Sequence, residues 1–341
     1  MLRHGSESFS ARRNGMNKIK VGVIGAGVLG SYHIVKCLAN PDVRFCGFYD
    51  LDPDRRLAVR EKFQVHGHSD LGPLLSEATA VIIATPASSH MDIAHRCLEQ
   101  GKHVLIEKPL AASFSEGLFL VECAEKLGVV LHVGHSEAFN ATFAKLLSYG
   151  PRPRFMEIHR LAQFSPRGTD VPVVLDLMVH DLQLIMRLCH EEPDCEKIAA
   201  TGVPVISDDI DIANVRLLFP SGCVANLTAS RISARRMRKI RIFSKDNYFS
   251  ADLDKGEIDH YFLDPCAPAP LGVPFVFNKE TVAPVDALEA EQKAFFREIT
   301  GGGSGGVPGK EALAVLKVTD CIMRQLQAPG NAGNKATKNH G

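Results

Sequence analysis

Asp176 and His180 stand four residues apart in a stretch, Val173 to Leu188, whose apolar spacing predicts a helix. That separation puts both side chains on one helix face. Their neighbours Val174, Leu175, Leu177, Met178 and Val179 are all apolar, so the two ionisable groups must be paired or functional, because an unpaired buried charge is costly. One reading is a buried Asp–His pair that fixes helix packing. The other is a proton-transfer site, which an imidazole titrating near neutrality suits. A second candidate is Glu107-Lys108-Pro109. It follows the apolar run Lys102 to Ile106, which predicts a strand, so the lysine amine sits at a strand's carboxyl end, where open α/β sheets bind ligands.

The element that must position these groups begins at Lys20. Val21 to Ile24 reads as a buried strand and runs into Gly25-Ala26-Gly27-Val28-Leu29-Gly30, followed by a helical pattern through Ile34, Cys37 and Leu38. Gly25 permits the tight turn, Gly27 lets the backbone approach a pyrophosphate, and Gly30 lets the helix lie close to the sheet. The phosphates then meet free N–H groups at a helix N-terminus, around Val28 and Leu29. Val43 to Tyr49 predicts a second strand, closed by Asp50. A carboxylate there accepts hydrogen bonds from ribose hydroxyls and repels a 2′-phosphate, so NAD is expected in preference to NADP. A purely structural glycine turn is the competing reading, and the strand–helix–strand context argues against it.

The chain has 341 residues, which calls for two domains. Equal counts of Lys+Arg and Asp+Glu, 39 each, argue against nucleic acid as a partner. Nine scattered cysteines without a Cys-x-x-Cys pair fit a reducing cytoplasm, and no apolar run is long enough for a membrane span. Strand-like and helix-like runs alternate through His135, with Thr85-Pro86, Glu107 and His135 all at strand carboxyl ends and His90 opening the helix after Thr85. A doubly wound parallel α/β domain over residues 18–137 follows. Ser89 with Asp92, and Ser113 with Glu116, have the spacing of capping boxes.

Beyond Phe139 the pattern changes to an α+β domain, residues 138–328, with a largely antiparallel open sheet. Its expected strands are Phe155 to Leu161, Ile198 to Val203, Ile212 to Phe219, Cys223 to Ser230, Arg238 to Ser244, Tyr248 to Asp252 and Glu257 to Leu263. A Pro-rich loop from Asp264 to Pro284 precedes two helices, Asp286 to Ile299 and Gly309 to Gln327. Residues 1–17 and 329–341 are polar and read as a disordered leader and tail. Neither His66-x-His68 nor His132-x-x-His135 has convincing metal spacing, and no metal is expected. Arg231, Arg235, Arg236, Arg238, Lys239 and Arg241 form a basic stretch in which alternation separates Arg236 and Arg238 from Lys239 and Arg241. It reads as a charged sheet face or interface in preference to a diphosphate clamp. Open sheets need a cover, so a homodimer or homotetramer is expected.

Taken together, Gly25 to Gly30, Asp50, Ala84-Thr85-Pro86, Glu107-Lys108-Pro109 and Asp176-x-x-x-His180 resemble the Gfo/Idh/MocA oxidoreductase family over Lys18 to about Gln327. The resemblance implies that Lys108 orients and stabilises the reacting oxygen, that His180 is the general acid/base, and that Asp176 positions the substrate or the imidazole. It also implies cofactor contacts from Thr85, Pro86, His90, Glu107, Lys108 and His135. Gly134-His135-Ser136-Glu137-Ala138-Phe139-Asn140 is similar to a family segment that carries Arg where this chain has Ala138, so Arg160 or Arg167 is a candidate to replace it at the substrate.

Ser165 to Asp170 followed by Val173 to Met178 is similar to the branch acting on UDP-activated amino sugars. That likeness implies NAD-dependent oxidation of a secondary hydroxyl, at carbon 3 of UDP-N-acetylglucosamine, giving a 3-keto sugar for an aminotransferase in lipid A assembly. A dehydrogenase of a free sugar or cyclitol is the alternative within enzymes, and a non-catalytic NAD-sensing regulator is the alternative outside them.

Overall fold

The computed structural model describes residues 18–164, 171–268, 274–303 and 305–328. The six strands of the first sheet are β1 (Ile19–Ile24), β2 (Val43–Tyr49), β3 (Gly67–His68), β4 (Ala80–Ile83), β5 (His103–Glu107) and β6 (Leu131–Gly134). They are all parallel and ordered β3-β2-β1-β4-β5-β6. Parallel strands need crossovers, and helices α1 (Val28–Ala39), α2 (Pro53–Phe63), α3 (Leu71–Glu77), α4 (His90–Glu99) and α5 (Phe114–Leu127) supply them. Helices on both faces explain why Val21, Val23, Ile82, Ile83, Val104 and Ile106 are buried without alternation. The order reverses between β1 and β4, which places the ligand crevice at their carboxyl ends.

Local chemistry starts and stops these helices. Asp52 caps α2 by accepting from the N–H groups of Asp54 and Arg55, ahead of Pro53. Ser113 caps α5 through the Glu116 N–H, while Glu116 reaches back to the Ala112 N–H. The box expected at Ser89 does not form. Its hydroxyl donates instead to the Pro86 carbonyl and to Thr85 Oγ1, tying down the loop after β4.

The second domain begins with a helix that the sequence reading did not anticipate, α6 (Ala141–Ser148), capped by the Asn140 side chain. Its sheet contains β7 (Phe155–Leu161), β8 (Ala199–Val203), β9 (Ile212–Leu218), β10 (Val224–Ser230), β11 (Met237–Phe243), β12 (Asn247–Asp252), β13 (Glu257–Leu263) and β14 (Phe275–Thr281). The order is β14-β13-β12-β11-β7-β10-β9-β8, antiparallel except where β7 meets β10. The expected loop after Asp264 thus holds an edge strand, β14, paired only with β13; its exposed side chains hid the pattern. On the inner face Met156, Ile158, Ile240 and Ile242 pack under α7 (Val179–Cys189) and α9 (Gly309–Gln327).

The C-terminal segment crosses the division that the sequence suggests at residue 138. Helix α8 (Ala287–Ile299) returns to the first domain, where Phe295 and Phe296 join the core of Val21, Ile34 and Phe48. Gln292 and Glu291 of the same helix are buried there as well. Helix α9 packs on both α5 and α7 and fastens the two domains together.

Candidate active site

The glycine turn adopts the form that its sequence requires. Gly25 has φ +88°, a conformation that side chains disfavour, and a Cβ there would lie 2.6 Å from the Ala84 carbonyl oxygen. A Cβ on Gly30 would strike the Gly25 carbonyl. At Gly27 the opposite holds, since an added Cβ meets nothing within 4 Å. The open space lies over the N-terminus of α1, where Val28 and Leu29 are exposed and the first-turn N–H groups point outward. These residues fit the pyrophosphate of a dinucleotide. Asp50, buried at the end of β2, braces the turn by accepting from the Ala26 N–H at 2.7 Å, and Arg55 lies 3.2 Å from its carboxylate. It stands where an adenosine ribose would be read.

Lys108 leaves the carboxyl end of β5 through a cis bond to Pro109. Its ammonium donates to the Asp176 carbonyl at 3.0 Å and lies 3.5 Å from the Asp176 carboxylate. Asp176 sits in a π-helical turn, Val174–Met178, that leads into α7, and His180 follows in the first turn of that helix. Inserted π turns of this kind re-aim side chains, often at functional sites. No hydrogen bond joins Asp176 to His180 among the described residues; the aspartate is committed to Lys108 instead. The His180 Nδ1 is buried without a partner there. Burial first, then the positive charges of Arg160 and Lys108, hold the His180 imidazole well below its usual pKa. It is therefore neutral at physiological pH and able to accept a proton. The His135 ring stands edge-on at 6.2 Å, and burial with the Lys108 charge lowers its pKa to about 3.

The other expected residues are placed as follows. Thr85 and Pro86 form the loop after β4, at the crevice. His90 is buried, and its two ring nitrogens face the carbonyls of Pro109 at 2.8 Å and Thr85 at 2.8 Å, so it ties two crevice loops together from beneath. Glu107 accepts from the His33 Nε2 at 2.7 Å, while Gln292 donates to the His33 Nδ1 and carbonyl. Because Nδ1 accepts from Gln292, the proton sits on the His33 Nε2 that faces Glu107, so although His33, Glu107 and Glu291 have ligand atoms within 4.8 Å of one another, the imidazole nitrogen facing the carboxylates already carries a proton. Arg160 is buried between Asp181, with Nε at 2.9 Å, and Glu137, with Nη1 at 3.4 Å. Burial works against its charge, but the two carboxylates outweigh that and hold its proton more firmly. Arg167 lies outside the described residues.

Sequence reasoning missed Asp181, His33, Gln292 and Glu291, and it named Glu137 and Arg238 without giving either a site role. Asp181 directly follows His180, which is a local signal. Gln292 and Glu291 carried none, because only the return of α8 brings them beneath the crevice.

The site thus places an ammonium, a neutral imidazole and a dinucleotide cradle around one crevice, which suits the removal of a hydride and a proton from an alcohol. The sequence pattern of the Gfo/Idh/MocA family, described as an oxidoreductase family with an NAD-binding Rossmann fold, matches residues 19–135. The chain belongs to this family and is an NAD-dependent oxidoreductase. It is 34% identical over 318 residues to a UDP-N-acetylglucosamine 3-dehydrogenase of Acidithiobacillus ferrooxidans, covering 92% of this chain and 100% of that protein. A crystal structure of the enzyme of that name from the same organism superposes with a TM-score of 0.85 at 31% identity, over 92% of this chain and 100% of the other. A myo-inositol 2-dehydrogenase of Thermotoga maritima is 25% identical over 253 residues, 69% of this chain and 75% of that protein. Among described residues, no helix is long and apolar enough to cross a membrane.

Proposed function

We propose that this protein oxidises the carbon-3 hydroxyl of UDP-N-acetylglucosamine to the ketone, with NAD as the acceptor. The observation that carries this reading is the 34% identity along the whole length of a dehydrogenase named for that substrate. The assembly of Lys108, Asp176 and His180 in one crevice supports it. Bound in the glycine cradle, NAD supplies the hydride acceptor. The Lys108 ammonium, held by Asp176, donates to the reacting oxygen and stabilises the charge that develops on it. Neutral His180 accepts the hydroxyl proton and later releases it to solvent. Asp50 reads the ribose, His90 and Glu107 hold the crevice loops from below, and Arg160 fixes the floor of the substrate side.

The same reading places the enzyme in the cytoplasm, ahead of an aminotransferase that consumes the ketone in lipid A assembly. Copies pair as a homodimer or homotetramer through the outer face of the large sheet. A cross-strand row of Phe155, Phe243, Tyr248, Tyr261 and Phe275 supports that pairing, with successive ring centroids 4.8–5.6 Å apart. Oxidation of a free cyclitol is the competing reading, favoured by the inositol dehydrogenase similarity. An assay with a carbonyl trap decides between them. UDP-N-acetylglucosamine should support NADH formation where glucose and myo-inositol do not, and the reverse order would replace the proposal with its competitor.

A further inference from the structure

The strand register sorts the basic stretch into two faces. Arg238 pairs directly with Arg160 and so shares the inner face, with Arg236 two residues on, whereas Arg241 pairs with Glu157 on the outer face, with Lys239 beside it. The inner set lines a cavity of about 240 Å³ together with Leu161, Ala162, Gln163 and Leu177. Leu177 follows Asp176, and the charges of Arg160 and Arg238 act on His180, so this cavity adjoins the catalytic crevice on its substrate side.

The three guanidinium groups are held in place before any ligand arrives. Asp254 accepts from the Arg236 Nε at 2.9 Å and Nη2 at 2.8 Å and lies 3.4 Å from the Arg238 Nε. Glu137 accepts from the Arg238 Nη1, and Asp181 holds Arg160. Each arginine has five N–H donors, and these contacts use only part of them. The buried Arg160 Nη2 finds no hydrogen-bond acceptor among the described residues, although Asp181 Oδ1 lies 2.9 Å away. The carboxylates balance the charge of the arginines. They leave fork-shaped donors at a mouth where the Arg236 side chain is 60% exposed.

We propose that this cavity is the diphosphate subsite of the active centre, with Arg236 and Arg238 donating to the two phosphates of a nucleoside-diphosphate sugar while the sugar reaches Lys108 and His180. Planar, charge-assisted donors of this kind recognise phosphate oxygens, and roughly ten water volumes of space or fewer suffice for a diphosphate but not for a whole nucleotide sugar. The nucleoside therefore extends past Arg236. This deepens the nucleotide-sugar reading and rests on it.

Calorimetric titration of the whole protein with UDP, UMP and inorganic pyrophosphate, beside KM for UDP-N-acetylglucosamine, tests the assignment. UDP should bind about tenfold tighter than UMP or better, from one added charge-assisted contact. Arg236→Gln and Arg238→Gln should each erase most of that advantage and raise KM, with NAD affinity unchanged. Lys239→Gln and Arg241→Gln, on the other face of the same strand, should leave it intact. Turnover of UDP-N-acetylglucosamine with KM unmoved by either inner-face variant would overturn the subsite and leave the function standing. Pyrophosphate binding that depends on Arg236, without turnover of UDP-N-acetylglucosamine, would keep the subsite and overturn the function. Equal binding of UDP and UMP by the unaltered protein would overturn the subsite.

Discussion

Two alanine substitutions three residues apart in one motif should fail in opposite ways. At Gly27 the backbone has φ −64°, open to any residue, and an added Cβ meets no protein atom within 4 Å. Gly27→Ala should therefore fold with its melting temperature within a degree or two of the unaltered protein. The methyl group projects into the space where the pyrophosphate must approach the first N–H groups of α1. Losing one charge-assisted hydrogen bond of about 1.5–3 kcal/mol weakens NAD binding by roughly ten- to 150-fold. At Gly30 an added Cβ would lie 2.8 Å from the Gly25 carbonyl carbon and closer still to its oxygen, both backbone atoms that cannot rotate away. The helix must lift from the turn, an overpacking cost of about 1–3 kcal/mol, which lowers the melting temperature by roughly 1–4 °C at this size. Thermal melts with and without NAD, paired with fluorescence titration, give both quantities. A Gly27→Ala protein that binds NAD normally would refute the pyrophosphate placement. A Gly30→Ala protein with unchanged stability would refute the packing argument.

Lys108→Met and His180→Ala should each lower kcat by about two orders of magnitude or more while NAD affinity changes less than threefold, since they act on the reacting carbon's oxygen. Because His180 is held neutral, kcat/KM for alcohol oxidation should keep its plateau below pH 6.5, its acid limb appearing only at lower pH; a limb centred above pH 6.5 would contradict that environment. Asp50→Ser should narrow the preference for NAD over NADP, since it removes a repelling carboxylate and releases Arg55 toward a 2′-phosphate, and tighter NADP binding by the unaltered protein would refute the ribose assignment. Glu291 is pushed well above its usual pKa by burial and by the neighbouring Glu107, so its stabilising protonated form is fully effective only below about pH 4.5 and is lost as pH rises toward the folded value. Glu291→Gln should therefore match the unaltered protein near pH 4 and gain melting temperature over it as pH rises to 8; a difference constant with pH would show that Glu291 is not buried uncompensated.

The first domain was legible because its physics is local. A continuous apolar run such as Val81 to Ile83 can satisfy its burial only inside a two-faced sheet, and Asp52-Pro53 announces a helix start without tertiary help. The chemistry was legible for a different reason. A lysine at a strand end and a histidine among apolar neighbours are anomalies within their own few residues. What stayed hidden depends on the chain's return. Phe295 and Phe296 read only as an apolar helix face, and nothing nearby says that the face belongs to β1 and β2. Strand β14 lost its signal because an edge strand with exposed side chains has no burial to enforce alternation. The faces of the basic stretch followed correctly from alternation, but which face met α7 required the pairing of Arg238 with Arg160.

Under the proposed function, hydride leaves carbon 3 of the nucleotide sugar and no other carbon. UDP-N-acetylglucosamine deuterated at carbon 3, incubated with the protein, NAD and a carbonyl trap, should deliver its deuterium to the nicotinamide, with the label found in NADH by mass spectrometry. Substrate labelled at carbon 4 or 6 should retain its deuterium throughout. Unlabelled NADH from the carbon-3 substrate, or labelled NADH from either of the others, would contradict the account.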